Sequence, residues 1–182
     1  MIAIIDYGAG NIFSVKNALD YLGVENKLTA DRNEICAADE IILPGVGAFP
    51  WAMKMLRDSG LVDTIREEAK KKPFLGICLG MQLIFDKGYE FEETDGLRLI
   101  GGKVEKIDRK DMIIPHMGWN ELEINRDCPI LKGLPEHPYV YFVHSYAAVC
   151  DNANVSAYCD YGGKITALVH DGAYVYGAQF HP

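Results

Sequence analysis

The stretch Pro73–Gln82, "PFLGICLGMQ", sets a cysteine between two glycines where an apolar run gives way to a helical pattern. The run "PFLGI" has the length and character of a buried strand. In the residues that follow, "LGMQLIFD", Leu79, Leu83 and Ile84 recur at helical spacing. Cys78 therefore falls at a strand-to-helix junction, with Gly76 two residues before it and Gly80 two after. That G-x-C-x-G form is the form of a nucleophile elbow. The sharp turn crowds neighbouring backbones, leaves no room for a Cβ at the flanking positions and pushes the middle side chain out over the sheet. The plain alternative is a buried cysteine in a glycine-containing strand.

Working outward, the same strand–loop–helix order occurs twice before this stretch. "IAIID" (2–6) is a β-branched run followed by "GAGN" and a helical pattern that puts Ile12, Val15, Leu19 and Leu22 on one face, closed by Gly23. An extended piece follows at 24–28. "EIILPGVG" (40–47) then reads as a strand ending in a Pro/Gly loop, with helix-prone residues to about Lys72. Three consecutive βα units predict a parallel sheet covered by helices on both faces. From about Leu99 the pattern changes to short alternating or aromatic runs, "GGKVEKI", "WNELEI", "YVYFVHSY", "VSAYCDY", "KITALVH" and "AYVYGAQF", with turn signals such as "HDG" and "DYGG" between them. The expected fold is a mixed α/β, flavodoxin-like sheet, mainly parallel and flanked by helices, with an antiparallel extension in the C-terminal half. It forms a single domain over 1–182. In such sheets, sites gather at the carboxyl ends of the parallel strands, where the Gly-rich loops lie.

Composition narrows the chemistry. The chain has 182 residues, 49% of them apolar, and a formal net charge of −8. One core of ordinary size is expected, and no basic face for nucleic acid. No apolar run approaches the ~18 residues that cross a bilayer, and "MIAII" lacks a basic start, so neither a membrane nor a secretory route is expected and the cytoplasm is. Five cysteines (36, 78, 128, 150 and 159) form no CxxC pair, which suits reduced thiols better than disulfides or a metal site.

A thiol of pKa about 8.5 is only a few per cent thiolate at neutral pH. A helix N-terminus contributes at most ~2 kcal/mol, roughly 1.5 pKa units, so a histidine forming a thiolate–imidazolium pair is expected to supply the remainder. Of the five histidines, His181 in "YGAQFHP" stands just beyond a strand-like run, as a loop residue at a strand end would. His144 inside "YFVHSY" reads as buried and hydrogen-bonded. His137 and His170 read as exposed turn residues, and His116 in "PHMGWN" stays open as a second candidate.

"PFLGICLGMQ", "LPGVGAF" and "GAQFHP" together resemble the class I, triad-type glutamine amidotransferases. "DYGAGN", "PGVGAF", "PHMGWN" and "FVHSY" give the finer likeness, to the family's imidazole glycerol phosphate synthase glutaminases. The resemblance spans essentially the whole chain. It implies Cys78 as nucleophile and His181 as the base that activates it and then protonates departing ammonia. It also implies Gly47, Gln82, Ser145 and Tyr146 around the substrate glutamine. Backbone N–H groups of Leu79 and of Val46, in the flexible Gly45-Val46-Gly47 stretch, would receive the oxyanion. If the Val46 N–H must rotate into place, basal activity is low until a partner stabilises the rotated form.

No metal or cofactor is implied. The partner implied is a (β/α)8-barrel cyclase subunit, forming a heterodimer and taking up the ammonia, with Asn11, His116, Met117 and Trp119 at the interface. Alternatives are the glutaminase domain of another synthase, such as one for anthranilate, GMP or pyridoxal phosphate, or a flavodoxin-like binding module without catalysis. In the family a glutamate follows the final His-Pro and orients the histidine. That glutamate and a closing helix are expected beyond Pro182, in a longer native chain.

Overall fold

β-Branched and aliphatic runs flanked by glycine build the centre of the molecule. A computed structural model describes residues 1–181 of the chain. The first half lays down β1 (Ile2–Ile5), α1 (Ile12–Tyr21), β2 (Asn26–Thr29), α2 (Arg32–Ala37), β3 (Glu40–Gly45), α3 (Phe49–Asp58), α4 (Val62–Glu68), β4 (Phe74–Cys78) and α5 (Leu79–Leu83). Asn11 caps α1 through its side-chain oxygen, and Asp31 caps α2 by accepting from the N–H groups of Asn33 and Glu34. Helix α2 has no counterpart in the pattern read from sequence. The helix-prone segment to Lys72 is two helices, parted at Gly60, whose φ of +71° suits glycine.

The second half supplies β5 (Lys87–Gly88), β6 (Thr94–Asp95), β7 (Gly102–Lys106), β8 (His116–Glu121), β9 (Glu123–Ile124), β10 (Tyr139–His144), β11 (Tyr146–Cys150), β12 (Val155–Asp160), β13 (Lys164–His170) and β14 (Val175–Ala178). Among the described residues, the largest sheet runs β2-β1-β3-β4-β14-β13-β12-β9. Its first five strands are parallel and the rest antiparallel. The last strand among the described residues, β14, thus inserts beside β4 and carries His181 toward the end of β4 where Cys78 sits. The aromatic run "YVYFVHSY" is not one strand. It divides at Ser145, β10 pairing with β8 in a two-stranded sheet and β11 with β7 in a four-stranded one.

Period-2 alternation along β3 and β4 divides the packing. Ile41, Leu43 and Phe74 face the core shared with Ile35, Phe49, Leu56 and Ile65 from α2, α3 and α4. Ile42 and Ile77 face the opposite side, where Val15 and Leu19 of α1 pack only partly buried, and Cys78 joins them because its positive φ breaks the alternation at the end of β4. A second core, centred on Phe142, Leu168 and Phe180, lies under the antiparallel half. Lys72 pairs with the buried Glu68 at 2.9 Å and donates to the carbonyls of Cys36 and Ala38, each at 2.7 Å, so the end of α2 is tied to α4. No helix among the described residues is long and apolar enough to cross a membrane.

Candidate active site

Strand β4 ends in a strained corner. Cys78 has φ 55° and ψ −112°, a backbone state costing a non-glycine residue of order 1–3 kcal/mol. Its surroundings enforce it. A Cβ at Gly76 would sit 2.5 Å from the Gly80 oxygen, and one at Gly80 would sit 1.9 Å from the Leu43 oxygen. Gly45 belongs to the same close approach, since a Cβ there would lie 2.6 Å from the Gly80 nitrogen. The short helix α5 is wedged against β3 and β4 by three glycines, of which sequence reading singled out two for crowding.

The corner opens into a pocket of about 350 Å³. Val46, Gly47, Cys78, Leu79, Gln82, Ser145, Tyr146 and His181, all expected around the reacting centre, line this one pocket. They arrive from four places in the chain: the loop after β3, the β4–α5 corner, the break between β10 and β11, and the residues after β14. His181 is pinned there by its N–H, which donates to the Tyr141 carbonyl at 3.0 Å. Gly47 has φ +94° with open space where a side chain would project.

Burial opposes the expected charge separation on both partners. It pushes the Cys78 thiol up, an effect partly offset by the Leu79 N–H donating to the sulfur. It pushes the His181 imidazole down. The resting groups are therefore a thiol and a neutral imidazole, and any thiolate forms by proton transfer within the pocket. Gln82 is buried rather than solvated. Its Nε2 donates to the Tyr146 carbonyl at 3.0 Å and to Gln179 Oε1 at 2.9 Å.

The structure adds Glu90, Pro115, Val143 and His144 to the lining. Glu90 Oε2 accepts from the Phe49 N–H at 2.8 Å, which places a carboxylate at the pocket's edge. Nothing in its local sequence, "KGYEFEE", marked it out, because only the fold brings it there.

His116 requires a correction. It was expected at an exposed interface and is fully buried, because β8 alternates: His116 points inward while Met117 and Trp119 point out. Its ring stacks on Tyr161 and Phe142, with centroids at 3.9 and 4.7 Å. Its Nδ1 meets His144 Nε2 at 3.0 Å and its Nε2 meets Asn120 Oδ1 at 2.8 Å, while His144 Nδ1 meets the Tyr146 carbonyl at 2.8 Å. Asn120 Nδ2 donates to the Asp160 carbonyl, which fixes its Oδ1 toward the ring. Both ends of this chain accept, so three gaps need three protons and two neutral imidazoles supply two. His170 is also corrected. It ends β13 buried and stacked on Tyr176 at 4.2 Å, not exposed in a turn. His144 is buried and hydrogen-bonded, as its aromatic context predicts, and additionally faces the pocket.

Of the expected partner contacts, Met117 and Trp119 are 58% and 67% exposed, Trp119 edge-on to Tyr141. Asn11 belongs to no strand and caps α1. It borders an apolar groove of about 480 Å³ that also touches Val46 and His181. The orienting glutamate and closing helix that the resemblance implies are expectations falling outside the described residues.

An elbow cysteine at the end of a parallel strand, sharing a pocket with a histidine that follows the neighbouring parallel strand, defines a class of amide-cleaving enzymes. Residues 3–182 match the family Glutamine amidotransferase class-I, and the chain belongs to it. More particularly, the chain is 49% identical over 183 residues to "Imidazole glycerol phosphate synthase subunit HisH" of Bacillus cereus (strain G9842), covering all of this chain and 87% of that protein. The protein of the same name from Bacillus thuringiensis (strain Al Hakam) matches at the same identity and coverage. Among solved structures, a crystal structure of a glutamine amidotransferase superposes with a TM-score of 0.77 at 22% identity, covering all of this chain and 90% of that one. PurLQS from Thermotoga maritima gives 0.75 at 20%, covering all of this chain and 86% of that one. At those identities the structural likeness concerns the fold alone.

Proposed function

We propose that this chain is the glutaminase subunit of an imidazole glycerol phosphate synthase. It hydrolyses glutamine to glutamate and ammonia, and the ammonia passes to a (β/α)8-barrel cyclase bound as a heterodimer partner in histidine biosynthesis. The observation that carries this reading is the convergence of Cys78, His181, Leu79, Val46 and Gln82 on one pocket of amino-acid size.

In the reaction, Cys78 passes its proton to His181 and its sulfur attacks the side-chain carbonyl carbon of glutamine. The carbonyl oxygen becomes an oxyanion received by the Leu79 N–H and the Val46 N–H. Losing one such donor typically costs about 2.7–4 kcal/mol of transition-state stabilisation. Collapse of the intermediate breaks the C–N bond, and His181 returns the proton to the leaving nitrogen, releasing ammonia and a thioester. Water, deprotonated by His181, then attacks the thioester to give glutamate and the free thiol. Because both resting groups are neutral, the first proton transfer is part of the barrier. Glu90 supplies negative charge for the substrate ammonium, and Ser145 and Tyr146 flank its amino-acid end. No metal or cofactor enters.

Ammonia set free in water at neutral pH would become unreactive ammonium, which is the reason for a partner seated over the pocket. The exposed Met117 and Trp119, with Asn11, are the contacts assigned to it. The Gly45-Val46-Gly47 stretch gives the partner something to act on. A rotated peptide that aims the Val46 N–H inward is stabilised only in the complex. We infer that the reaction runs in the cytoplasm. The test is ammonia release from glutamine, measured with and without a barrel cyclase and its nucleotide ligand. A strong rise is expected, and no response would remove the assignment.

A further inference from the structure

Between β14 and His181 stands Gln179, a fully buried side chain that the reaction scheme above leaves without a part. Its main chain is fixed by the N–H donating to the Ala167 carbonyl at 2.9 Å. Its amide oxygen accepts from Gln82 Nε2 at 2.9 Å, and its Nε2 lies 3.8 Å from Cys78 Sγ. The orientation is determined by neighbours. Gln82 spends its other amide hydrogen on the Tyr146 carbonyl, so its NH2 group is a donor at both ends. Turning the Gln179 amide over would set two NH2 groups against each other and a lone pair against the sulfur. Four groups thus form one polarised chain, from the Tyr146 carbonyl through Gln82 and Gln179 to Cys78.

We propose that Gln179 is a positioning residue for the reacting sulfur: its amide N–H holds Cys78 over the pocket, and its amide oxygen fixes Gln82 at the substrate wall. The inference rests on the reading of Cys78 as nucleophile. A fixed N–H gains strength as the sulfur becomes negative, so it favours the thiolate against the burial that disfavours it. The Leu79 N–H acts on the same sulfur. Other titratable groups near it are Tyr7, whose hydroxyl is engaged with the Pro44 carbonyl at 3.0 Å, and His181, His144 and Glu90 around the pocket. None of them touches Gln179 through a hydrogen bond among the described residues, so its effect is separable from theirs.

The test is the pH dependence of iodoacetamide alkylation at Cys78, followed by mass spectrometry of the peptide that contains it, with exposed Cys36 as the internal reference. Gln179→Met keeps the volume and removes both polar contacts. Its alkylation midpoint is expected to rise by roughly one pH unit, about 1.36 kcal/mol or tenfold less thiolate near neutrality. Gln82→Met, which leaves Gln179 unclamped, is expected to give a smaller rise, and the double variant no more than Gln179→Met alone. A folded Gln179→Met with the wild-type midpoint overturns the proposal. Should that variant not fold, an unshifted midpoint in Gln82→Met overturns it instead. If no glutamyl thioester forms on wild-type Cys78 during turnover with glutamine, the nucleophile reading itself fails.

Discussion

Substituting Gly80 by alanine tests how the corner at Cys78 is held. The added Cβ would stand 1.9 Å from the Leu43 carbonyl oxygen and 3.3 Å from the Pro44 carbonyl carbon, whereas real Cβ atoms essentially never approach another atom within 3.0 Å. Since the obstructing atom is backbone of β3, α5 must retreat by at least roughly 1 Å to restore ordinary packing. Helix propensity works the other way, favouring alanine by about 1 kcal/mol. A contact this short with backbone puts the overpacking cost at the upper end of about 1–3 kcal/mol, so a net loss of about 2 kcal/mol remains and, for a chain of this length, a melting point lowered by roughly 4–8 °C is expected.

The larger consequence is chemical. Moving α5 carries the Leu79 N–H away from the sulfur, and a misplacement near 1 Å costs on the order of 100-fold in rate. The assay is glutamine hydrolysis with the partner present, beside a thermal melt. Gly60→Ala is the control. It meets nothing within 4 Å but has φ +71°, so it is expected to lose about 1 kcal/mol of stability and keep its rate. A Gly80→Ala enzyme within twofold of wild type would refute the argument that the glycines hold the nucleophile.

Acid is expected to weaken the fold through the histidine pair. Burial lowers His144 from 6.5 to about 4 and lowers His116, so the folded state binds fewer protons than the unfolded one. Stability is full above about pH 6.5 and declines as pH falls toward 4, by at most about 3 kcal/mol for His144, and melts between pH 7.5 and 4.5 should lose this slope in His144→Asn. Glu90→Gln still accepts from the Phe49 N–H but loses its charge. KM for glutamine should rise roughly 10- to 100-fold with kcat little changed, and an unaltered KM would remove Glu90 from the substrate site. Trp119→Ala, at a 67% exposed position, should weaken cyclase binding by roughly 30-fold in a titration while the melting point holds.

The parallel half was legible because its signals are local. "IAIID" became β1 nearly to the residue, "EIILPGVG" became β3 with Pro44 and Gly45 inside the strand rather than in the expected loop, and G-x-C-x-G placed Cys78 at the β4–α5 corner. Helix α2, six residues with one buried side chain, has too little apolar period to stand out. The division of "YVYFVHSY" at Ser145 was hidden for a different reason. Both parts are extended and aromatic, and only their partners, β8 and β7, distinguish two sheets. His170 was misjudged from the neighbouring "HDG" turn, and His116 from a resemblance that does not say which face of β8 turns inward, since that face is decided by register. Glu90 and Gln179 carried no signal beyond their residue type, because what gives each a place is a contact 41 or 97 residues away in the chain.

The most direct measurement of the central claim is rapid acid quenching of the enzyme during turnover with glutamine, followed by mass spectrometry of the peptide containing Cys78. A glutamyl thioester on Cys78, absent from Cys78→Ser, is predicted. Glutamate formed at the full rate with no adduct on that sulfur, or with one on another residue, would contradict it.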